Sequence, residues 1–335
     1  MTWLSLGNLA LPTQLNRHGA ALRSEIGRIG TELTTGLSAE PQRKLRGDLA
    51  PLAAVEARMA RIAAYTETTR FAANAAAAAQ TGLDRAAAGG SEIGSRMLLV
   101  AVEGTAPETL RSASVAAAGA LDDLTSALNQ RIAGRVVFAG TASDTAPLPD
   151  GPAILAALAP ALSGLTSADA IAAAVQSAFM DPGGLFETTI YQGGPAANGA
   201  AIDAGINAPA LPTAADPALR RLMAGLAIAA LAGDSALPLA DNQRRALAQT
   251  GAEALMGAAP GLAEAQASLG ETQARLDTGL TRLTGERDAL SLTLQDLVGA
   301  DTYEAVTRLE EAQTQLEILY AFTARTARLS LTEYL

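Results

Sequence analysis

The stretch GLAEAQASLGETQARLDTGLTRLTGERDALSLTLQDLV, residues 261–298, decides how the rest of this sequence is read. Leu262, Leu269, Leu276, Leu283, Leu290 and Leu297 stand seven residues apart without interruption. A leucine at every seventh position over this length marks a long helix in coiled-coil-like packing. At 1.5 Å of rise per residue it spans roughly 50 Å. Leu280 and Leu294 fill part of a second seam, which also carries Gln266, Gln273 and Arg287. Three polar seam residues do not suit a homodimeric zipper, so the expected partners are other helices of the same chain. Glu271 with Arg275, and Glu304 with Arg308, are acid-before-base pairs at i,i+4, which suit solvated helix flanks.

The other end of the sequence mirrors this pattern. Leu15, Leu22 and Ile29 form one heptad line, with Ile26 and Leu33 on the neighbouring line. After a break at TTGLSAEP, Leu45, Leu52 and Met59 with Val55 and Ile62 predict a second helix. The following FAANAAAAAQTGLDRAAA is helical by propensity alone. Thr105-Ala106-Pro107-Glu108 reads as a capping box that opens a third helix, running through Leu110, Ala117, Leu121, Leu124 and Leu128 to Ile132. Between Gly140 and Pro212 the prolines and glycine pairs concentrate. There LFETTIYQGGPAANGAAIDAGI reads as a strand, a turn and a second strand, a β-hairpin. Helical pieces flank it, one with Asp216 as N-cap and Pro217 in the first turn.

The expected fold is therefore mainly α: long coiled-coil-like helices from both termini forming a rod, with a small α/β insert that contains a hairpin. The expected division is residues 1–40 with 301–335 as a terminal coiled-coil domain, 41–139 with 213–300 as a helical body, and 140–212 as the insert. The last residues, AFTARTARLSLTEYL, continue an apolar face through Leu316, Tyr320, Ala324, Ala327, Leu331 and Tyr334. Alone such a helix is marginal in water, and Glu333 lies at the negative end of its dipole, offset only partly by Arg325 and Arg328. The stripe of Leu15, Leu22, Ile26 and Ile29 is its expected partner.

Composition narrows the function. Apolar residues make up 49% of the chain but aromatics only 3%, because alanine dominates. Alanine favours helix and contributes little buried area, so thin helix packing fits better than the thick core of an enzyme. The net charge of −10 and the lack of a Lys/Arg cluster leave no electrostatic footprint for nucleic acid or an anionic membrane. No apolar run is long enough to span a bilayer, and MTWLSLGNLALPTQLNRHG lacks the basic start and cleavage site of a secretory signal. Cysteine is absent. The sole histidine, His18, sits between Leu15 and Leu22 and reads as a helix-surface residue rather than a base or ligand. Asp122-Asp123 and Glu310-Glu311 are adjacent on helices and point apart, so they do not converge on a metal. AAGGSEIGS, DPGGL and YQGGP match neither G-x-G-x-x-G nor the P-loop, and the only lysine is Lys44. Trp3 reads either as a packing anchor for a partner or as a free tip. No catalytic residue, cofactor or metal site is expected.

One motif carries a resemblance. Leu128-Asn129 leads into Gly134-Arg135-Val136-Val137-Phe138-Ala139-Gly140-Thr141, which resembles the hook-associated protein 3 branch of the bacterial flagellin superfamily, the hook–filament junction proteins. Asp301 ahead of a last helix through Gln313, Leu316 and Tyr320 to Leu329-Ser330-Leu331 is similar to the superfamily's C-terminal segment. ALRSEIGRIGTELTTGL is similar to its first helix, which closes on a Thr-Gly pair, here Thr35-Gly36. The resemblance covers about residues 15–140 and 215–335. Relatives follow the Thr-Gly pair with paired aspartates, whereas this chain has LSAEPQRKLRGD with only Asp48.

The resemblance implies a non-enzymatic structural protein of the bacterial flagellum, exported through the flagellar type III apparatus without a cleaved signal peptide. It implies self-assembly into a ring or tube layer between hook-associated protein 1 and flagellin, after release from an export chaperone. The implied assembly interface is Leu15, Leu22, Ile26, Ile29 and Leu33 on the first helix, with Leu309, Leu316, Tyr320, Ala327, Leu331 and Tyr334 on the last. Filament flagellin itself is the nearest alternative; a helical binding module or secreted effector is the alternative from another class.

Overall fold

The computed structural model describes residues 7–332, with side chains described from 13 to 326. Helices dominate: α1 (Gly7–Thr35), α2 (Pro41–Lys44), α3 (Ala50–Val100), α4 (Pro107–Leu128), α5 (Gly151–Leu162), α6 (Ala168–Met180), α7 (Pro217–Leu231), α8 (Asp241–Val298) and α9 (Thr302–Thr332). Two short antiparallel hairpins interrupt them: β1 (Arg131–Ile132) with β2 (Arg135–Val136), and β3 (Ala201–Asp203) with β4 (Ile206–Asn207). The fold is thus mainly α with long helices and a small β component. The residues fall into two compact units, one from the chain up to Ala63 and from Thr284 onward, the other from Ala64–Leu283.

In the second unit the leucine line of α8 does what its spacing predicts. Leu262, Leu269, Leu276 and Leu283 are all buried. Gln266 donates to Asp84 Oδ1 at 2.8 Å, and Gly94 lies against Leu255, so α3 and α8 run antiparallel here. The alanine-rich stretch of α3 faces the same core through Ala76, Ala79, Leu83 and Ala86. Small side chains set the distance between helices: Gly225 of α7 and Gly251 of α8 each lie too close to the facing helix to accept a Cβ. α4 and α6 both pack on α7, and α5 packs on α4.

Several local expectations differ from the structure. The second predicted helix and the alanine stretch are one helix, α3, which begins at Ala50, leaving Leu45 in the connection after α2. Thr105 does not cap α4: the N-cap is Ala106, without a side-chain bond, and Pro107 opens the first turn as predicted. α4 stops at Leu128 rather than Ile132, because Asn129 turns the chain and holds Leu148 with both amide atoms, at 2.8 and 3.2 Å. Asp216 caps α7 as expected, accepting from Ala218 N at 2.9 Å.

The largest correction concerns the hairpin. Phe186–Ile190 is a π-helical turn, not a strand, with Tyr191 N bonding Phe186 O at 2.8 Å. Phe186 and Ile190, four apart, are both buried. The guanidinium of Arg220 lies 5.0 Å over the Phe186 ring and donates to Phe179 O at 2.6 Å, which fixes the turn against α6 and α7. The alternation of apolar residues there fits one helical turn as well as a strand, and these tertiary contacts select the turn. The hairpin itself lies within the second predicted strand, folded back at Ala204-Gly205. Ile202 seats it on α8 where Gly279 leaves room, and Arg282 ties it down through Asp203 at 2.6 Å.

Replacing Leu276 by alanine removes a fully buried side chain from this core and should cost about 2–5 kcal/mol. Leu292→Ala, at a position 64% exposed, should stay within about 0.5 kcal/mol. Urea unfolding of the two variants measures the contrast; equal midpoints would refute the seam assignment.

Candidate assembly interface

The first unit is organised by the pairing of α1 with α9. On α1, Leu22 and Ile29 are buried, and Leu15, Ile26 and Leu33 are half-buried. On α9 the residues buried most deeply are Ala305 and Ala312, with Leu309, Leu316 and Leu319 half-buried. Ala305, Ala312 and Leu319 are seven apart, a heptad line that sequence reasoning overlooked because alanine reads as a helix former rather than as core. A Cβ on Gly19 would stand 3.2 Å from Leu319 Cδ2, so this glycine lets the leucine close on α1.

The base of the pair is held by polar contacts. Gly36 ends α1 at φ +69°, a conformation that glycine adopts without strain. Ser38 N then bonds Val298 O at 2.7 Å, and Ala300 N bonds Gly36 O at 2.9 Å. Asp301 caps α9, its Oδ1 accepting from Tyr303 N at 2.9 Å and Glu304 N at 3.1 Å. Lys44, the chain's only lysine, donates to Gly299 O beside the C-terminal end of α8, where a cation is favourable. Glu32, 2% exposed, accepts from Ala39 N at 2.9 Å, from Arg28 at 3.3 Å and from Arg308 of α9 at 3.1 Å. Arg308 therefore reaches across to α1, not only back along its own helix to Glu304 as the i,i+4 spacing suggested. Hydrogen bonding to Glu25 raises the Arg28 pKa further, and hydrogen bonding to Arg43 with the nearby Arg28 charge lowers that of Glu40. A buried carboxylate meeting two arginines and a backbone N–H is a register lock, since a shift of either helix would strand a charge.

α9 also leaves large apolar side chains in water. Tyr303 is 84% exposed, Ile318 63%, Tyr320 51%, Phe322 48% and Val306 43%. These side chains are spread around the exposed part of α9 among Thr307, Glu310, Thr314 and Glu317, so the helix leaves large apolar groups uncovered without forming a second continuous stripe. Of the residues expected in the interface, Leu15, Leu22, Ile26, Ile29, Leu33, Leu309 and Leu316 are brought together by the α1–α9 pair, while Tyr320 lies largely outside it. Ala327 and Leu331 lie beyond the described side chains, and Tyr334 and Trp3 lie outside the described residues.

The GRVVFAGT motif is an internal brace in the second unit. Ala133 at φ +47° and Gly134 at +82° make the two-residue turn between β1 and β2. Arg135 lies 5.8 Å over Phe71 and donates to Ser143 Oγ at 3.1 Å. Phe138 is buried against Gly82, and Gly140 passes so close to Pro195 O that a Cβ would stand 2.3 Å from it. Thr141 N bonds the same carbonyl at 2.9 Å, which ties the motif to the Gly193-Gly194 loop. His18 is exposed on α1. Among the described residues no cluster of three or more His, Cys, Asp or Glu side chains could hold a metal, and no helix is long and apolar enough to cross a membrane.

The geometry describes a helical chain whose last helix keeps several large apolar side chains exposed. Residues 253–335, which include most of α8 and all of α9, match the family model of the bacterial flagellin C-terminal helical region. The exposed apolar side chains of α9 lie within the matched segment. A solved structure described as a flagellar hook-associated protein from Vibrio parahaemolyticus is similar in fold, with a TM-score of 0.51 and 14% sequence identity. That similarity covers 73% of this chain and 95% of the other. A comparison with curated proteins gives no match.

Replacing Glu32 by alanine should loosen the pair by about 2 kcal/mol, since it leaves two arginines and the Ala39 N–H less satisfied. Amide exchange should speed up in residues 302–326 and stay unchanged in 217–231; uniform or unchanged exchange would contradict the lock.

Proposed function

We propose that this protein is a non-enzymatic structural subunit of the bacterial flagellum, and specifically a hook–filament junction subunit. The observation that carries the reading is the set of large apolar side chains that α9 leaves exposed, Tyr303, Val306, Ile318 and Phe322, within a segment that matches the flagellin C-terminal model. In a free subunit these side chains contact water; in an array neighbours bury them, so assembly removes a cost that folding leaves in place. The terminal helices form the assembly domain, residues 1–40 with 301–335, and 41–139 with 213–300 form the body that carries the 140–212 insert. The interface comprises the α1 and α9 residues named above.

The junction position, rather than the filament itself, is favoured by the G-R-x-x-F-A-G-T stretch and the short insert. Its partners are then other copies of the chain in a ring or tube layer, hook-associated protein 1 on the hook side and flagellin on the filament side. Export occurs through the type III apparatus, with a chaperone covering the C-terminal helix beforehand. The fold shared with a hook-associated protein supports this reading.

Two experiments test it. Deletion of the gene should leave cells with hooks that secrete flagellin but retain no filaments, whereas cells that lack the filament subunit itself secrete none. The variant Tyr303→Ser, Ile318→Ser, Phe322→Ser should keep its helical circular dichroism and lose assembly by tenfold or more in sedimentation. A variant that assembles normally would remove the observation on which the proposal stands.

A further inference from the structure

Two steps in this chain carry the residues of a spontaneous backbone rearrangement, an asparagine or an aspartate followed by glycine. Glycine has no side chain to shield its nitrogen, so that nitrogen can attack the preceding side-chain carbonyl and close a five-membered imide. Of the seven asparagines only Asn198 precedes a glycine, and of the aspartates only Asp150 does. Whether either step reacts depends on what holds its two reacting groups, the side-chain Cγ and the glycine N–H. The fold treats the two steps oppositely.

At Asp150-Gly151 both groups are engaged. Asp150 caps α5, its Oδ1 accepting from Ala153 N at 2.8 Å, and Gly151 N donates to Asp122 Oδ1 at 2.9 Å. Gly151 is also buried, so close to α4 that a Cβ would stand 2.7 Å from Asp122 N. At Asn198-Gly199 neither group is held. The pair lies in the irregular segment between the Gly193-Gly194 loop and β3, and Asn198 is exposed. Among the described residues neither the Asn198 carboxamide nor the Gly199 N–H has a hydrogen-bond partner. Pairing with the return strand starts one residue later, where Ala208 N donates to Ala200 O at 2.8 Å. On the other side the chain is anchored at Pro195 O, which accepts from Thr141 N at 2.9 Å. Packing nevertheless demands the glycine, because a Cβ at position 199 would overlap Ala208 O.

We propose that Asn198 is a modification site, converted spontaneously and irreversibly to aspartate and isoaspartate. Gly199 N attacks Asn198 Cγ; the N–Cγ bond forms, the Cγ–Nδ2 bond breaks, and Nδ2 leaves as ammonia with the proton from Gly199 N. Water then opens the imide. Cleavage of the new N–Cγ bond leaves aspartate, and cleavage at the Asn198 main-chain carbonyl leaves isoaspartate, with the chain running through Cγ. Nothing is oxidised or reduced, and water is the only co-reactant. Either product adds a negative charge, and isoaspartate lengthens the main chain by one C–C bond, about 1.5 Å. That slack falls between the Pro195 and Ala200 anchors, at the entry to the hairpin that Ile202 seats on α8. Older copies of the chain thus carry an extra charge beside a loosened hairpin. The inference does not depend on the flagellar reading.

The test compares each step with its own rate in the unfolded chain. Full-length protein, folded or in guanidinium chloride, is incubated at neutral pH and read by peptide mass spectrometry, with electron-transfer fragmentation to tell isoaspartate from aspartate. Asn198 should convert in the folded chain within threefold of its unfolded rate, whereas folding should slow isomerisation at Asp150 at least tenfold. Asn207, exposed in β4 but followed by alanine, should stay intact over the same period. Asn198→Ala removes no hydrogen bond, so it should fold as the parent does and lose the acidic form that ion exchange separates. Greater slowing at Asn198, lesser slowing at Asp150, or conversion of Asn207 alongside Asn198 would overturn the assignment. So would an acidic form that accumulates in Asn198→Ala at the parent's rate.

Discussion

The leucine line of α8 is the constraint on which the rest of the second unit depends. Leu262, Leu269, Leu276 and Leu283 supply large buried side chains in a chain whose commonest apolar residue is alanine. Each contributes on the order of 2 kcal/mol on burial, several times what an alanine methyl can give. The alanine faces of α3 and α7 and the glycines of α7 and α8 then act by admission: they let helices approach closely enough for those leucines to be covered. The β3–β4 hairpin and the GRVVFAGT brace seat on glycines in the same manner, at Gly279 and Gly82.

The first unit solves a different problem with the same vocabulary. α1 has one apolar stripe and spends it on α9. α9 has that stripe's partner, built on Ala305 and Ala312, and several further large apolar side chains left in water. A close helix pair built on alanine is weak in burial, so its register is set by charge. Glu32 provides that, held between Arg28 and Arg308 at the point where the chain enters and leaves the pair. The consequence is a defined presentation of Tyr303, Ile318 and Phe322. An interface whose energy comes from neighbours needs its geometry fixed beforehand, because ordering it during association subtracts from the binding free energy.

Much of this was legible in the sequence, and what was not has identifiable causes. The heptads at 262–283 and 15–29 gave long helices and their buried faces because period and residue size agreed. The pairing of first and last helices followed from two complementary stripes. The π-turn at Phe186 was read as a strand because a run of six residues cannot distinguish the two periods, and Arg220, which selects the turn, lies thirty-four residues away. Thr105 carried the letters of a capping box, yet Ala106 is the cap. Ala305 and Ala312 escaped notice because their role depends on how close α1 comes, which only tertiary structure sets. Glu32 escaped because a charged residue in a heptad helix reads as solvated. The exposed apolar side chains of α9 were half visible, since Tyr320 was singled out while Tyr303, Ile318 and Phe322 fall outside the stripe followed from the end of the chain.

The claim at the centre of this account is that α9 is a two-sided helix, with one side satisfied within the subunit and the other by neighbours. Hydrogen exchange on monomeric and assembled protein measures this most directly. Protection of the α9 segment around Tyr303–Phe322 should rise strongly on assembly, while that of α7, already enclosed in its own unit, should not change. Equal protection of α9 in both states would contradict the account.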